Sequence, residues 1–567
     1  MSHFGLLTLI FFLFGSSQCD TVVETADGKI RGILQTTRNG VNYSSFLGVR
    51  YGQNPINELR FQPPKAVEPW DDIFDATEEK GYCYQVPFDS DLETEDCLLL
   101  NLYTPVDLAS NASAGLPVMF FIHGGGFVEG AGILEVGVGP QFFMEYGVIM
   151  IAINYRLGPF GFLSTGDSII PGNAGMKDQL LALQWVQRNI KYFGGDPEKV
   201  TIFGQSAGAA SVSYLLLSPL SEGLFRAAIL ESGSALSPWA YQRDQVEISY
   251  RTAGILNSDF NTNNRNSTQL LEYLQSVTGK EIDGASKNLT KKIEFPGNFQ
   301  ISKGFYYSPV IEEESETAFL TKFQYEAFEN GSFYRVPVLI GFNAEESLFM
   351  LSRTFHRTLK EYDNNTRYVV PFDMHIGNSD ELLTVGESIK KFYTPDKNFE
   401  DNKLAGVQYH SNQDFDKSVI KQAELQASYV PVYFYEFTYS GKMGNNQKHL
   451  NGSGAVRHGE EQNYIFNRWY SEDIPDNTDL SKFSEQDINV HYRFMTFFTN
   501  FAKYLNPTPQ DDETLQYIKW PTVEAENFQY LEIGTNLTIK NGFPKSEMYL
   551  FWQDLYAAHG VKPYDTY

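Results

Sequence analysis

The stretch Val200-Thr201-Ile202-Phe203-Gly204-Gln205-Ser206-Ala207-Gly208 decides the fold of this chain. It opens with apolar residues typical of a buried strand and leads into residues 209–216, whose small and apolar side chains are typical of a buried helix. A glycine stands on each side of the Gln205–Ala207 triplet, where a side chain would collide with the strand or the helix. The stretch therefore predicts a strand, a sharp turn and a helix, with the Ser206 hydroxyl exposed at a helix N-terminus that favours negative charge.

Short apolar runs alternate with a longer helical pattern along the rest of the chain. Strands are predicted at residues 116–122, 148–153, 200–203, 227–230, 336–340 and 430–437, and a helix at 176–192, which is followed by a turn or helix-capping signal at 194–197. This alternation predicts an α/β fold with a mostly parallel central sheet flanked by helices. Residues 259–298 and 368–412 are interpreted as insertions. Polar candidates follow the predicted strand ends, where open α/β sheets bind their ligands.

The first nineteen residues are predicted to be a secretory signal peptide. Residues 5–14 form an apolar run that is too short to span a bilayer, and Ser17-Gln18-Cys19 supplies small residues for cleavage. The rest of the chain has no apolar run of transmembrane length, so no membrane anchor is expected. We therefore expect a secreted, extracellular protein whose mature part, residues 20–567, forms a single domain.

The cysteines and the glycosylation signals agree with export. Once Cys19 is removed, Cys83 and Cys97 remain, and an even pair in an oxidising compartment predicts one disulfide; the alternative is two buried thiols. The sequence also contains Asn-x-Ser/Thr acceptors, which predict surface glycans. These acceptors are Asn42, Asn111, Asn266, Asn288, Asn330, Asn364, Asn451 and Asn536.

The overall charge excludes some classes of partner. The formal net charge of the 567 residues is −26, which disfavours nonspecific binding to nucleic acid or to anionic membranes. Solubility is the simplest interpretation of this charge. Length alone would allow three or four domains, but the order of the motifs along the chain favours one.

Acyl transfer by a serine requires a base, an acid that orients the base, and donors for the oxyanion. His458 is the preferred base, because it lies late in the chain and Gly459 leaves its ring room to move. The other histidines considered are less well placed: His3 in the signal peptide, His123 beside a glycine run, and His356, His375 and His410.

The remaining two parts of such a site also follow predicted strands. Glu345 and Glu346 follow the strand predicted at 336–340, and the pattern alone does not separate them as the acid. Gly124-Gly125-Gly126 follows the strand at 116–122, and glycines let backbone N–H groups approach a substrate closely. The amide of Ala207, directly after the serine, would be the further oxyanion donor.

With these motifs, the chain resembles the type-B carboxylesterase and cholinesterase family over nearly its whole mature length. The resemblance is carried by Phe46-Leu47-Gly48-Val49, Leu59-Arg60-Phe61, Glu95-Asp96-Cys97-Leu98-Leu99-Leu100-Asn101-Leu102, Gly172-Asn173-Ala174-Gly175-Met176-Lys177-Asp178-Gln179, Trp185 and Phe193-Gly194-Gly195-Asp196-Pro197. It implies an α/β-hydrolase fold and no metal or cofactor.

The same resemblance assigns roles to individual residues. It implies a catalytic triad of Ser206, Glu346 and His458, and an oxyanion hole made by Gly125, Gly126 and Ala207. It also implies the disulfide Cys83–Cys97, the salt bridges Arg60–Glu95 and Arg156–Asp178, and a supporting contact from Ser232 to the triad.

Two departures from the family pattern narrow the expected substrate. Gln205 stands where the family usually has glutamate, and this form is similar to insect juvenile hormone esterases. The Cys83–Cys97 loop contains no tryptophan, so the aromatic face that binds choline is missing and a choline ester is not expected. The resemblance therefore implies a serine carboxylic-ester hydrolase acting through an acyl-enzyme on a small hydrophobic ester, the methyl ester of juvenile hormone. The alternatives are a general or odorant-degrading carboxylesterase and a catalytically silent binding or adhesion protein.

Overall fold

The computed structural model describes residues 20–567 apart from 87–89, 109–113, 262, 264, 292–302, 352, 447, 468–475 and 525. The predicted signal peptide 1–19 and the predicted glycosylation site Asn111 lie outside the described residues.

The strands of the described residues belong to one large sheet and one small one. In chain order they are β1 (Asp20–Glu24), β2 (Lys29–Thr36), β3 (Asn42–Arg50), β4 (Ile73–Asp75), β5 (Tyr82–Cys83), β6 (Glu93–Thr94), β7 (Leu99–Thr104), β8 (Leu116–Ile122), β9 (Ile149–Ile153), β10 (Gly195–Gln205), β11 (Ala227–Glu231), β12 (Val338–Asn343), β13 (Val432–Phe437), β14 (Gln529–Ile533) and β15 (Leu537–Asn541). The large sheet has the order β1-β2-β3-β7-β9-β8-β10-β11-β12-β13-β14-β15, with β4 paired to β2.

The centre of the large sheet is parallel. Every neighbouring pair from β9 through β8 and β10 to β14 runs parallel, whereas β1, β2, β3 and β7 form an antiparallel edge and β15 closes the other edge as a hairpin. The predicted α/β-hydrolase fold with a mostly parallel central sheet is therefore confirmed. Because the central strands are parallel, their carboxyl ends meet at one edge of the sheet.

Helices cover both faces of this sheet. They are α1 (Gln141–Glu145), α2 (Gly158–Phe162), α3 (Ala174–Asn189), α4 (Ala207–Leu217), α5 (Gln245–Leu256), α6 (Ser267–Ser276), α7 (Gly279–Lys291), α8 (Gln324–Glu329), α9 (Arg353–Asn364), α10 (Ser379–Tyr393), α11 (Lys403–Ser411), α12 (Lys417–Ala427), α13 (Gln462–Ile465), α14 (Glu485–Tyr504) and α15 (Ser546–His559). A π-helical turn, Asn412–Asp416, joins α11 to α12. Within the described residues, none of these helices combines the length and the apolar character needed to cross a bilayer.

Strand β8 shows how the sheet divides the core. Val118, Phe120 and Ile122 belong to the apolar cluster that includes α3 and α4, whereas Met119 and Phe121 belong to the cluster that includes α14. Alternate residues of a strand point to opposite faces, so a strand buried on both sides is apolar throughout. This is why the strand predicted at 116–122 reads as one continuous apolar run.

Of the turn or helix cap predicted at 194–197, the structure has the cap, because Gly194 ends the helical turn Ile190–Phe193. Gly194 has a left-handed φ of 82°, but β10 already begins at Gly195, which pairs with Leu116 of β8. The pairing register then shifts before Val200, in the segment that contains Pro197. A proline has no N–H to donate to the ladder, so the irregularity falls there without ending the strand.

Candidate active site

Ser206 occupies a strained turn between β10 and α4. Its φ of 58° and ψ of −122° lie outside the regions that non-glycine residues prefer, and the surrounding contacts hold it there. A Cβ added to Gly208 would lie 2.0 Å from the carbonyl O of Ile122, and one added to Gly204 would lie 2.6 Å from the carbonyl C of Gly208. The close packing expected around both glycines is therefore present, and it places the serine at the carboxyl end of β10.

Glu346 and His458 are brought together from separate strand ends. Glu346 follows β12 and is fully buried, while His458 lies in the loop after β13. His458 Nδ1 lies 2.6 Å from Glu346 Oε2, and the backbone N–H of His458 donates to the carbonyl O of Glu346 at 3.1 Å. This pairing places the proton of the imidazole on Nδ1 and leaves Nε2 as an acceptor.

The Glu346 carboxylate is held by two further donors. The Ser232 hydroxyl and the backbone N–H of Asn343 both donate to Oε1, each at 2.6 Å. The supporting contact expected of Ser232 is therefore present. Glu345 has different partners, because its side chain accepts hydrogen bonds from Ser411 and Gly454. Only Glu346 of the two adjacent glutamates therefore contacts the histidine.

The free nitrogen of His458 faces the side chain of Gln205. The Gln205 Nε2 lies 3.1 Å from His458 Nε2, so the amide donates to the imidazole. Ser206 and His458 line the same cavity. No hydrogen bond of the Ser206 hydroxyl is found among the described residues, so the amide of Gln205 occupies the acceptor that a nucleophilic serine would use.

The backbone N–H groups predicted for the oxyanion hole have no acceptor among the described residues. Gly125 and Gly126 have left-handed φ angles of 103° and 59°, which glycine adopts at little cost. In the part of the chain that the structure describes, the amides of Gly125, Gly126 and Ala207 donate no hydrogen bond. Ala207 opens α4, and the first N–H groups of a helix have no acceptor within it. These donors are thus available to a ligand.

A group of buried carboxyls lies behind the triad candidates. Burial raises the pKa of Glu460 to about 8, and burial together with the Glu346 carboxylate raises the pKa of Glu461 to about 7. Burial and then Glu461 raise the pKa of Glu231 well above its usual range, while Gln462 donates to Glu231 at 2.6 Å. These shifts limit the negative charge next to His458 at neutral pH.

The triad candidates border a cavity of about 800 Å³ whose wall is largely aromatic. Phe415, in the π-helical turn, packs against His458 with the ring centroids 4.6 Å apart, and Trp239 packs against Phe305 at 5.4 Å. The indole N–H of Trp239 donates to the carbonyl O of Asp414 at 2.6 Å, which fixes the ring to the same turn. Such a cavity suits an apolar ligand with one polar group directed at Ser206.

The other residues named by the sequence also have clear positions. Cys83 and Cys97 form a disulfide, Arg60 pairs with Glu95 at 2.6 Å and Arg156 pairs with Asp178 at 2.7 Å, as the resemblance implied. The seven described glycosylation candidates are all exposed; these are Asn42, Asn266, Asn288, Asn330, Asn364, Asn451 and Asn536. Among the described residues, no group of three or more His, Cys, Asp or Glu side chains could hold a metal ion.

The remaining histidines lie in other surroundings. His123 is buried and stacks on Tyr155, and burial lowers the pKa of His123 to about 4. His410 contacts Asp414 at 2.8 Å and the Tyr362 hydroxyl at 3.1 Å. His356 and His375 pair with other carboxylates, Glu400 and Asp565.

Sequence reasoning missed several residues that shape this site. Glu231 was passed over although it directly precedes Ser232, and its carbonyl O accepts the backbone N–H of Ser206 at 2.8 Å. Asn343, at the end of β12, was not recognised as a partner of Glu346. Glu129 and Phe415 carry no motif, and only the folded chain shows that they line the cavity.

Comparison with known proteins places this chain among proteins named as esterases and carboxylic ester hydrolases. The profile of the carboxylesterase family matches residues 19–552. A carboxylic ester hydrolase of Bombus ignitus is 32% identical over 94% of each chain, and a juvenile hormone esterase of Tribolium castaneum is 31% identical over 93% of this chain and 91% of its own.

The structural comparison agrees with the sequence relatives. The crystal structure of the juvenile hormone esterase of Manduca sexta, with OTFP covalently attached, is 30% identical, has a TM-score of 0.81, and covers 95% of this chain and 100% of its own. The profile match and these relatives extend over nearly the whole sequence, and this chain belongs to the carboxylesterase family.

Proposed function

We propose that this protein is a secreted serine carboxylesterase with a triad of Ser206, Glu346 and His458. The observation that carries the proposal is the 2.6 Å contact between Glu346 Oε2 and His458 Nδ1. It fixes the tautomer in which Nε2 can accept a proton, at the cavity that also contains Ser206.

The proposed reaction proceeds in two steps. Ser206 Oγ attacks the ester carbonyl while His458 Nε2 takes its proton, and the amides of Gly125, Gly126 and Ala207 stabilise the oxyanion. His458 then gives the proton to the leaving alcohol, which departs as the acyl-enzyme forms. Water repeats the sequence, since His458 takes a proton from it and returns that proton to Ser206 as the acid is released.

Gln205 must move before the first step. Its amide donates to His458 Nε2, which has to accept the proton of Ser206 instead. The neutral amide of Gln205 forms no ion pair with His458. A glutamate at this position would pair with the imidazolium and would be harder to separate from it. The exchange of partners therefore separates no opposite charges, and we place it at substrate binding.

We further propose a hydrophobic ester hormone, juvenile hormone, as the substrate. Gln205, the aromatic cavity wall and the relatives named juvenile hormone esterases support this choice. The competing proposal is a general carboxylesterase. It is supported by the carboxylic ester hydrolase of Bombus ignitus, whose sequence identity to this chain is as high as that of the juvenile hormone esterase of Tribolium castaneum.

We also propose that residues 20–567 act as one secreted, glycosylated domain. The large sheet runs from β1, at Asp20, to β15, near the end of the described chain, so no part of the sequence forms a separate sheet of comparable size among the described residues. The exposure of the seven described acceptor asparagines is compatible with glycans on the surface.

The first test compares kcat/KM on juvenile hormone with kcat/KM on a short-chain aryl ester, with Ser206→Ala as the blank. Fast hydrolysis of the hormone with a submicromolar KM would support a dedicated hormone esterase. Activity on the aryl ester alone would return the protein to the general esterases. The absence of Ser206-dependent turnover on both would overturn the esterase proposal in favour of a binding or adhesion protein.

A further inference from the structure

The side chain of Glu129 begins beside Gly125, a member of the proposed oxyanion hole. The backbone N–H groups of Val128 and Glu129 both donate to the carbonyl O of Gly125 at 3.0 Å, which folds the chain back over the glycine loop. A Cβ added to Gly125 would lie 2.7 Å from Cγ of Glu129, so this side chain runs along the residue that supplies an oxyanion donor. Glu129 also lines the cavity that Ser206 and His458 border.

This carboxyl group has no partner in the described part of the chain. It is half-buried, and burial raises the pKa of Glu129 above its usual value. Arg457 also lines the cavity, but the two side chains form no ion pair. A half-buried carboxylate without a partner costs free energy, and an incoming cation would recover part of that cost.

The position of this charge affects the reaction as well as binding. As the carbonyl oxygen of an ester becomes negative, a neighbouring carboxylate repels it. A positive group on the substrate, placed between the two, would attract both. Glu129 should therefore favour a cationic ester over a neutral ester of the same shape, and disfavour an anionic ester most.

We propose that Glu129 is a specificity-determining residue that selects esters carrying an ammonium group close to the reacting carbonyl. The charge of the carboxylate would supply the recognition, since the Cys83–Cys97 loop contributes no tryptophan face for a cation. This inference rests on the proposed Ser206-dependent hydrolysis and goes beyond it, because it adds a class of charged esters to the neutral hormone.

The test uses pairs of esters that differ only in charge. On the acyl side the pair is the 4-nitrophenyl esters of 4-(trimethylammonio)butanoate and 5,5-dimethylhexanoate, which have the same shape and leaving group. On the alcohol side the pair is acetylcholine and 3,3-dimethylbutyl acetate. The ratio of kcat/KM for the cationic ester to that for the neutral ester is measured for the wild-type protein and for Glu129→Gln.

In Glu129→Gln we expect the ratio for at least one pair to fall about tenfold, which matches the loss of one favourable charge contact. The cationic ester should become slower and the neutral ester should become faster or stay unchanged. Glu198→Gln is the matched control, because it makes the same change in net charge at the opposite end of β10 from the site and is exposed. Its ratios should equal those of the wild-type protein.

Titration of Ser206 with a fluorophosphonate reports the fraction of folded, competent sites in each variant, so a folding defect cannot imitate the effect. The proposal that Glu129 determines specificity is wrong if the wild-type protein hydrolyses the esters and Glu129→Gln leaves the ratios of both pairs unchanged. If the wild-type protein hydrolyses no ester of either charge and is not labelled, the proposed function itself has failed.

Discussion

The side-chain amide of Gln205 lies 3.1 Å from Nε2 of His458, the nitrogen that serves as base in the proposed mechanism. Position 205 directly precedes Ser206, the proposed nucleophile, and its side chain is almost fully buried. Gly459, which follows the histidine, is close enough that an added Cβ would contact the same amide at 3.5 Å. A charged side chain at position 205 would therefore act directly on the His458 imidazole.

Gln205→Glu should move the acidic limb of the pH–kcat/KM profile to higher pH. A carboxylate next to Nε2 stabilises the imidazolium form, so the base form is populated only at higher pH. We expect the loss of activity to be greatest below pH 7 and smallest near pH 9. Gln205→Met, of similar size and without charge, should leave the acidic limb at the pH found for the wild-type protein; an equal shift in both variants would contradict the electrostatic explanation.

Ser232→Ala should lower kcat/KM by about 10- to 100-fold, because a hydrogen bond to a charged group contributes about 1.5–3 kcal/mol. The hydroxyl donates to Glu346 Oε1, and its loss leaves the carboxylate less well oriented toward His458. Ser411→Ala is the matched control, since it removes the same kind of donor from the adjacent Glu345. Steady-state kinetics should separate the two, with little loss in the control.

Gly208→Ala should prevent the native turn around Ser206. The new Cβ would lie 2.0 Å from the carbonyl O of Ile122, a distance that neither backbone can accommodate without moving. We expect a variant that is recovered in low yield and is not labelled at Ser206 by a fluorophosphonate. Gly284→Ala, in α7, meets no atom within 4 Å and should keep full labelling and an equal or higher melting temperature.

His491 should contribute to the loss of stability in acid. Burial lowers the pKa of His491 to about 4, against about 6.5 in the unfolded chain, so the unfolded state binds more protons in this range. Its contribution is therefore fully present above pH 6.5 and is lost as the pH falls toward 4. Between pH 7 and 5 this residue should account for about 2 kcal/mol of the decrease in unfolding free energy.

Chemical unfolding of His491→Gln at pH 7 and pH 5 measures this contribution. The glutamine amide can keep the contact with the carbonyl O of Tyr464 that His491 Nδ1 makes at 2.7 Å, but it does not titrate. The difference in unfolding free energy between the two pH values should shrink in this variant. His356→Gln, at a half-exposed histidine, should leave the difference as it is in the wild-type protein; equal behaviour of both variants would refute the assignment.

The sequence predicted the parts of this structure that local physics dictates. The strand at 116–122, the turn at Ser206 and its flanking glycines follow from burial, alternation and close packing within a few residues. The choice between Glu345 and Glu346 needed the family resemblance, because both follow the same strand and both are buried.

What the sequence did not predict depends on contacts between distant segments. Nothing near Gln205 in the chain indicates that it meets a histidine 253 residues away. Glu129 resembles any surface glutamate until the glycine loop folds back, and the pKa shifts of Glu231 and Glu461 arise from burial that composition does not report.

The π-helical turn at Asn412–Asp416 has a consequence for how this cavity can diverge. A π turn accommodates an extra residue within a helix while the segments before and after it stay helical. The extra residue lies within the five residues of this turn. One of the five, Phe415, packs against His458. Insertions or deletions at this point would alter the space above the histidine and leave α11, α12 and the sheet in place. Related enzymes could thus acquire different substrates by gaining or losing one residue here, without exchanging any member of the proposed triad.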